Sequence, residues 1–154
     1  MSDFAIRDMV PTDEGFVLKS WITASAEFTT EAYALQVTDH TVISQLLNAA
    51  SSAGIAKRLH GSSCRLVACD PENPDSIFGF IIGDRGPIVH YAFVKYAARK
   101  MGIATALLHQ FLSRTESPEG APIRCTHWGF QAANLAPQHS LVYDPMAKVR
   151  RDYR

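Results

Sequence analysis

The sequence predicts a single α+β domain over residues 1–154, built on a mixed and mostly antiparallel sheet. Three β-rich runs, at 64–69, 77–82 and 88–94, are joined by tight turns, which is typical of an antiparallel meander. A regular amphipathic helix over 102–114 follows the third run, and another β-rich run comes after it. Because a strand, a helix and a strand in succession form a parallel crossover, we expect one parallel pair in the sheet.

The remaining elements lie on either side of this central region. Residues 4–9 alternate as a first strand, and the residues from Pro11 onward predict a helix start with Thr12 as its N-cap. Apolar residues at helical spacing predict a second helix over 41–59, which Gly54 weakens. The C-terminal elements are a strand, a short helix and a final strand, at 123–128, 131–135 and 140–143.

The composition argues against several classes of protein. Apolar residues make up 47% of the chain and charged residues 19%, so a normal core can form. The 15 basic residues balance the 15 acidic ones, so neither a nucleic-acid partner nor a membrane surface is expected. No secretory leader and no apolar run of bilayer-spanning length are visible. The three cysteines lack metal-ligand spacing, so we expect reduced thiols, no metal and a cytoplasmic location.

The turn between the third meander strand and the next helix is the predicted functional site. The strand ends near Lys95 and the helix opens at about Gly102. The first amides of a helix have no internal partner and, with the helix dipole, they favour an anion. Gly102 lets a phosphate approach the backbone, and Arg99 and Lys100 add positive charge. The turn therefore predicts a site for a diphosphate-bearing ligand, and the alternative is an ordinary helix start with two surface cations.

The same turn carries a family resemblance. Neither a P-loop nor a Gly-x-Gly-x-x-Gly dinucleotide turn is present. The segment Arg99-Lys-Met-Gly-Ile-Ala104 resembles the Gln/Arg-x-x-Gly-x-Gly/Ala hallmark of the GNAT N-acetyltransferase superfamily. It begins five residues after Val94 and runs into an amphipathic helix, as in that family. The order of elements over 4–144 is similar as well.

A narrower resemblance is to small GNAT-like proteins encoded by phages. It depends on three segments, which are Ser20-Trp21, His90-Tyr-Ala-Phe-Val-Lys95 and Tyr143-Asp-Pro145.

The superfamily resemblance implies acetyl-coenzyme A as the ligand. It also implies six to seven strands, about four flanking helices, and a separation of strands four and five that admits the thioester. The amides of residues 100–104 would hold the pyrophosphate, and the backbone of Ala92 and Val94 would pair with the pantetheine arm like an added strand. The residues expected to bind the coenzyme are Ala92, Phe93, Val94, Arg99, Lys100, Met101, Gly102, Ile103, Ala104 and Thr105.

Acetyl transfer to an amine requires a base, a stabilised thioester oxygen and a proton for the leaving thiolate. His90 on the cleft strand is the candidate base, or else a packed strand histidine. Asp84 is a second candidate for the base, acting through a water molecule. The alternative is that it is an ordinary turn residue. The Val94 amide resembles the family's oxyanion donor. The chain lacks the family's Tyr on the helix after strand five, so the candidate acids are Tyr143, or else a packed strand residue, and His139.

Two further residues have two interpretations each. Trp21 either lines the acceptor pocket together with Phe28 and Tyr33 or belongs to the core. Cys125 is either an acyl carrier or, far more simply, a buried inert thiol.

The sequence supports three hypotheses about function. The first is an enzyme that acetylates a primary amine of a small molecule or a protein, acting as a monomer or homodimer. The second is a coenzyme-binding or protein-interaction module, such as a phage effector, that has the same fold without catalysis. The third is a nucleic-acid binder, against which the zero net charge argues.

Overall fold

The computed structural model of the chain describes residues 3–23, 52–115, 122–126 and 141–143. They contain a six-stranded sheet whose strands lie side by side in chain order. The strands are β1 Ala5–Asp8, β2 Cys64–Cys69, β3 Ile77–Asp84, β4 Ile88–Val94, β5 Ile123–Cys125 and β6 Leu141–Tyr143. The helices in the described parts of the chain are α1 over 14–23, α2 Ser52–Gly61 and α3 Ile103–Ser113.

The strand pairing confirms the predicted α+β class and the mixed sheet. β1 to β4 pair antiparallel, and β5 lies parallel to β4 after the crossover through α3. β6 adds a second parallel pair beside β5, which the sequence does not predict. The described register of β4 with β5 ends at Val89 and Cys125. The predicted separation of the two strands concerns the chain beyond that point, and the part of it after Thr126 lies outside the described residues.

The meander forms where the turn residues are dense. After β2, the Asp70 side chain accepts the Glu72 N–H at 2.9 Å, and the Asp70 N–H donates to the Ser76 carbonyl at 3.0 Å. These contacts close the predicted turn. β3 continues to Asp84, two residues beyond the predicted end at 82. Asp84 is therefore the last residue of a strand and its side chain points to a defined face of the sheet.

The sheet is covered on both faces by apolar side chains. Alternate residues of the strands pack against α3 on one face, where Leu107 and Phe111 are at most 1% exposed. On the opposite face, α1 and α2 contribute Val17, Trp21 and Ile55, all fully buried. The predicted site residues can therefore be assigned to a face by their position along each strand.

The start of the first helical segment differs from the prediction. A 3-10 turn over Pro11–Asp13 precedes α1, and Val10 rather than Thr12 occupies the cap position. The Asp13 carboxylate accepts the Val10 N–H at 2.8 Å and pairs with Arg7 at 2.7 Å. The prediction of a Thr12 cap is wrong because Asp13 is buried where it can satisfy both donors, while Thr12 is exposed. The Arg7 guanidinium accordingly lowers the pKa of Asp13.

The second predicted helix is confirmed in its described part. α2 includes Gly54 and continues to Gly61, past the predicted end at 59. Ile55 and Leu59 are fully buried, so the apolar residues whose spacing predicts this helix form its buried face. The predicted segments 41–51 and 131–135 lie outside the described residues. Among the helices that can be described, none has the length and apolar composition needed to cross a membrane.

All three cysteines are free and buried. Burial raises the pKa of the Cys125 thiol to about 12 and also raises that of Cys64. A thiol with so high a pKa carries almost no thiolate near neutral pH, which favours the inert interpretation of Cys125 over that of an acyl carrier.

The Cys125 thiol predicts a loss of stability at high pH. Its pKa is about 12 in the folded chain against an ordinary value of 9.0, so the unfolded chain releases the proton first as the pH rises. The contribution of the protonated thiol to the free energy of unfolding is complete below pH 9. Above pH 9 it decreases by about 1.4 kcal/mol per pH unit. Urea denaturation of wild type and Cys125→Ala at pH 8 and pH 10.5 measures this loss. A smaller loss is expected in the variant, and equal losses would contradict the assignment.

Candidate functional site

The turn that follows β4 is held against the sheet by its own backbone. A 3-10 turn over Tyr96–Ala98 comes directly after the strand, and the Lys95 N–H donates to the Phe78 carbonyl at 2.8 Å. The Arg99 Nε donates to the Val94 carbonyl at 3.2 Å. These bonds fix the position of the segment that enters α3.

The start of α3 is open to an anion. The first helical hydrogen bond runs from the Ala106 N–H to the Gly102 carbonyl at 3.0 Å, so the amides of 103–105 precede the helical bonding pattern. Gly102 has a φ of 79°, and no atom of the described residues lies within 4 Å of the Cβ position that a side chain would occupy. Ile103 is 2% exposed and anchors the helix, while Gly102 itself is exposed. A phosphate can therefore approach the backbone at this point.

Lys100 shares the unusual backbone conformation of Gly102. Its φ is 76°, a left-handed value that is unfavourable for a residue with a side chain. Strained residues of this kind concentrate at binding and catalytic sites. The Arg99 guanidinium lies 5.5 Å from the ring of Tyr96, which is 85% exposed, so positive charge and an accessible aromatic ring flank the turn.

A β-bulge at His90 affects which peptide groups of β4 point toward β5. Ile82 pairs with Tyr91 and Gly83 with Val89, which leaves His90 as an extra residue. Beyond the bulge, the Lys95 N–H points toward β3, so alternation directs the peptide groups of Ala92 and Val94 toward the β5 side. This is the orientation required if those groups are to pair with an extended ligand, as the sequence predicts.

Asp84, His90 and Thr126 form a hydrogen-bonded group that we call the polar row. His90 Nε2 lies 2.9 Å from Asp84 Oδ2, and His90 Nδ1 lies 2.8 Å from Thr126 Oγ1. The Ser63 N–H donates to Asp84 Oδ1 at 3.0 Å. His90 is 0% exposed and Thr126 1%, whereas 16% of the Asp84 side chain is exposed. The row runs from a partly exposed carboxylate to a hydroxyl shielded from water.

A half-buried cation lies near the polar row. Burial lowers the pKa of Arg58, and the negative charge of Asp84 opposes that shift. Arg58 Nη1 is buried and has no hydrogen-bond partner among the residues that the structure describes. Arg58 follows Ile55 by three residues on α2, which places both on the face that packs against the sheet.

The structure brings together some of the predicted site residues. His90 and Asp84 are in direct contact, and the residues predicted to bind the coenzyme surround the start of α3 and the last residues of β4. Trp21 is fully buried and stacks on Tyr91 with ring centroids 5.4 Å apart, which is a core position. The backbone of Tyr143 pairs with Cys125. The residues Phe28, Tyr33, His127, Trp128 and His139, and the side chain of Tyr143, lie outside the described part of the chain.

Thr126 and Arg58 are members of the site that the sequence does not predict. Because side chains alternate along the predicted strand, Thr126 points to the other face of the sheet from Cys125. Its contact with His90 depends on how β4 and β5 pair, since the two residues are 36 positions apart in the chain. For Arg58 a signal exists, because it lies at helical spacing between buried apolar residues.

Comparison with known proteins supports the fold. No protein-family model and no curated protein matches the chain. A crystal structure of a GCN5-related N-acetyltransferase from Rhodopseudomonas palustris is similar to 90% of this chain and 81% of its own, with a TM-score of 0.56 and 17% identity. The chain therefore has the GCN5-related N-acetyltransferase (GNAT) fold, as the sequence predicts.

Two further solved structures are similar at a lower level. The apo form of YjaB from Escherichia coli has a TM-score of 0.45 at 15% identity, over 73% of this chain and 66% of its own. A GNAT-family acetyltransferase from Staphylococcus aureus Mu50 has a TM-score of 0.37 at 17% identity, over 72% and 64%.

Proposed function

We propose that the protein is an N-acetyltransferase that moves an acetyl group from acetyl-coenzyme A to a primary amine by direct attack in a ternary complex. The observation that carries the proposal is the start of α3, where an exposed Gly102 with φ of 79° and the amides of 103–105 follow β4. The fold shared with the protein from Rhodopseudomonas palustris, which is described as an N-acetyltransferase, supports the same activity.

The residues present fit the coenzyme. Its pyrophosphate would lie on the amides of 100–104, beside the positive charges of Arg99 and Lys100. Its pantetheine arm would run along the β5 side of β4, where the peptide groups of Ala92 and Val94 point. The bound coenzyme supplies an acetyl group activated as a thioester.

The polar row provides the base in this proposal. His90 accepts a proton, and Asp84 stabilises the imidazolium that forms. The Val94 N–H points to the β5 side and stabilises negative charge on the thioester oxygen. Tyr143 or His139 protonates the thiolate. Tyr33 is proposed to border the acceptor, which is a small-molecule or protein amine, and the working unit is a cytoplasmic monomer or homodimer.

Two measurements test the proposal. Isothermal titration calorimetry with coenzyme A tests binding, and acetyl transfer to a panel of alkylamines, lysine peptides and free peptide N-termini tests catalysis. Binding together with transfer supports the enzyme. Binding without transfer to any of these amines would favour the non-catalytic module, and absence of binding would contradict both.

His90→Gln is expected to lower kcat by about 10²- to 10⁴-fold, the usual contribution of a general base. The dissociation constant of coenzyme A should stay unchanged, because His90 lies on the strand before the binding turn and not in it. His60→Gln, at an exposed position on α2, is the matched control and should keep full activity. A His90→Gln variant that retains wild-type kcat would exclude His90 as the base.

A further inference from the structure

An ammonium group of this chain lies on an aromatic ring beside the end of β4. Lys95 Nζ is 4.9 Å from the centroid of the Phe16 ring. A cation over the face of an aromatic ring is attracted by the negative charge of the π system. Lys95 is exposed and Phe16 is partly exposed, and no carboxylate of the described residues forms an ion pair with Lys95. The Phe16 ring is therefore accessible to a primary ammonium group.

Phe16 packs against a second partly exposed ring, that of Phe93 on β4. The two ring centroids are 6.2 Å apart, in an edge-to-face arrangement. The fully buried ring of Phe80 contacts both, at 6.3 Å from Phe16 and 5.5 Å from Phe93. We call the exposed parts of the Phe16 and Phe93 rings the aromatic surface. Because Phe80 packs beneath both rings, each has a defined position.

The aromatic surface borders the edge of β4 along which the acyl group would lie. Phe93 stands between Ala92 and Val94, whose peptide groups point toward the β5 side. Its side chain points to the face that α1 and α2 cover. The α3 face is closed beside this edge, since Val94 and Leu107 are at most 3% exposed. An amine that reaches the thioester from the α1 face therefore passes over Phe93 and Phe16.

We propose that the aromatic surface binds the ammonium group of the acceptor at the position that Lys95 Nζ occupies in this structure, an inference that rests on the proposed acetyltransferase function. Alkylamines are ammonium ions near neutral pH, so they present the same group as Lys95. Two cations repel each other at this position, so Lys95 leaves when the acceptor binds, which its flexible four-carbon chain allows. The acceptor that fits is a primary amine on an uncharged apolar body, because the face of an aromatic ring repels an anionic group.

A quaternary ammonium ion tests the site without any acetyl transfer. Tetramethylammonium has no N–H group, so it can bind the rings but cannot be acetylated. Titrated into the wild-type chain with coenzyme A present, it should shift the carbon-13 NMR signals of the Phe16 and Phe93 rings. The neutral molecule tert-butanol, which has a similar size, should not. Lys95→Met should bind tetramethylammonium about threefold to tenfold more tightly, because the competing ammonium group is absent.

Matched substitutions test the same site during acetyl transfer. Phe16→Leu and Phe93→Leu keep an apolar side chain and remove the aromatic face, so each should raise the KM of alkylamines about threefold to tenfold. The kcat and the dissociation constant of coenzyme A should stay near the wild-type values. Lys95→Met should lower the KM by a similar factor, a direction that structural damage would not produce. Phe4→Leu is the control, because it makes the same change at a partly exposed ring on the α3 face and should leave the KM unchanged.

The outcomes separate the ammonium site from the proposed enzyme. A protein that acetylates alkylamines, but whose ring signals respond equally to tetramethylammonium and tert-butanol or to neither, overturns the site and leaves the enzyme intact. An unchanged KM in both Phe variants, or a KM in Lys95→Met that is not lowered, overturns the site as well. Rings that respond to tetramethylammonium alone, in a protein that acetylates none of the amines, support the site and overturn the enzyme.

Discussion

Gly102→Glu is expected to abolish coenzyme A binding, with a loss of affinity of at least about 100-fold. The substitution places a side chain where the backbone has a φ of 79°, which costs about 1–2 kcal/mol. It also adds a carboxylate beside the amides that would hold the pyrophosphate. Two like charges about 4 Å apart near a protein surface repel by about 4 kcal/mol, so charge is the larger effect. Calorimetry with coenzyme A measures the loss.

Two variants separate the contributions to this effect. Gly15→Glu adds the same charge at an exposed glycine of α1 with open space around its Cβ position, and it should bind coenzyme A like wild type. Gly102→Ala introduces the backbone strain without the charge, so it should lower the free energy of unfolding by about 1–2 kcal/mol and keep most of the affinity for coenzyme A, because the strain is present with and without the ligand. If Gly102→Glu bound coenzyme A with unchanged affinity, the turn before α3 would not be the phosphate site.

The sequence predicts the sheet and the turn because both depend on local signals. Turn residues divide the meander into three strands, and the helical spacing of Ile103, Leu107 and Phe111 identifies α3, whose buried face they form. Gly102 stands out for a local reason as well, since it falls between a strand and a helix. The boundaries of α3 agree with the prediction to within one residue.

The polar row depends on contacts that local patterns do not encode. His90 is identified as a candidate by its chemistry, but the bulge that makes it an extra residue of β4 is visible only in the pairing with β3. Thr126 joins the row because β5 lies parallel to β4 in one particular register. The Thr12 cap is wrong because Asp13 is held by the side chain of Arg7 in β1, six residues earlier in the chain, a contact that the capping pattern does not include. When two side chains compete for the same N–H donor, the outcome can be predicted only if the folded positions of both are known.

Gly83→Ala is expected to have the largest effect on stability, because this glycine lies where β3 and β4 change register. A Cβ there would lie 2.2 Å from the Ile88 carbonyl oxygen and 2.8 Å from the ring of Phe111. The ring can move, but the carbonyl belongs to the paired backbone of β4, so the strands must shift. Overpacking of a core costs about 1–3 kcal/mol, and a backbone clash brings the expected loss to about 3 kcal/mol or more. Urea denaturation measures it.

Gly15→Ala is the matched control for this substitution. It adds the same methyl group in a helix with open space, and removing a helical glycine should stabilise the protein by up to about 1 kcal/mol. Combining Gly83→Ala with Phe111→Leu relieves the contact with the ring and leaves the contact with the carbonyl, so it should not restore stability. A Gly83→Ala variant within about 0.5 kcal/mol of wild type, the usual range for surface substitutions, would show that the register of Gly83 opposite Val89 is wrong. The position of His90 beside Asp84 depends on that same register, so the stability measurement also tests the geometry of the polar row.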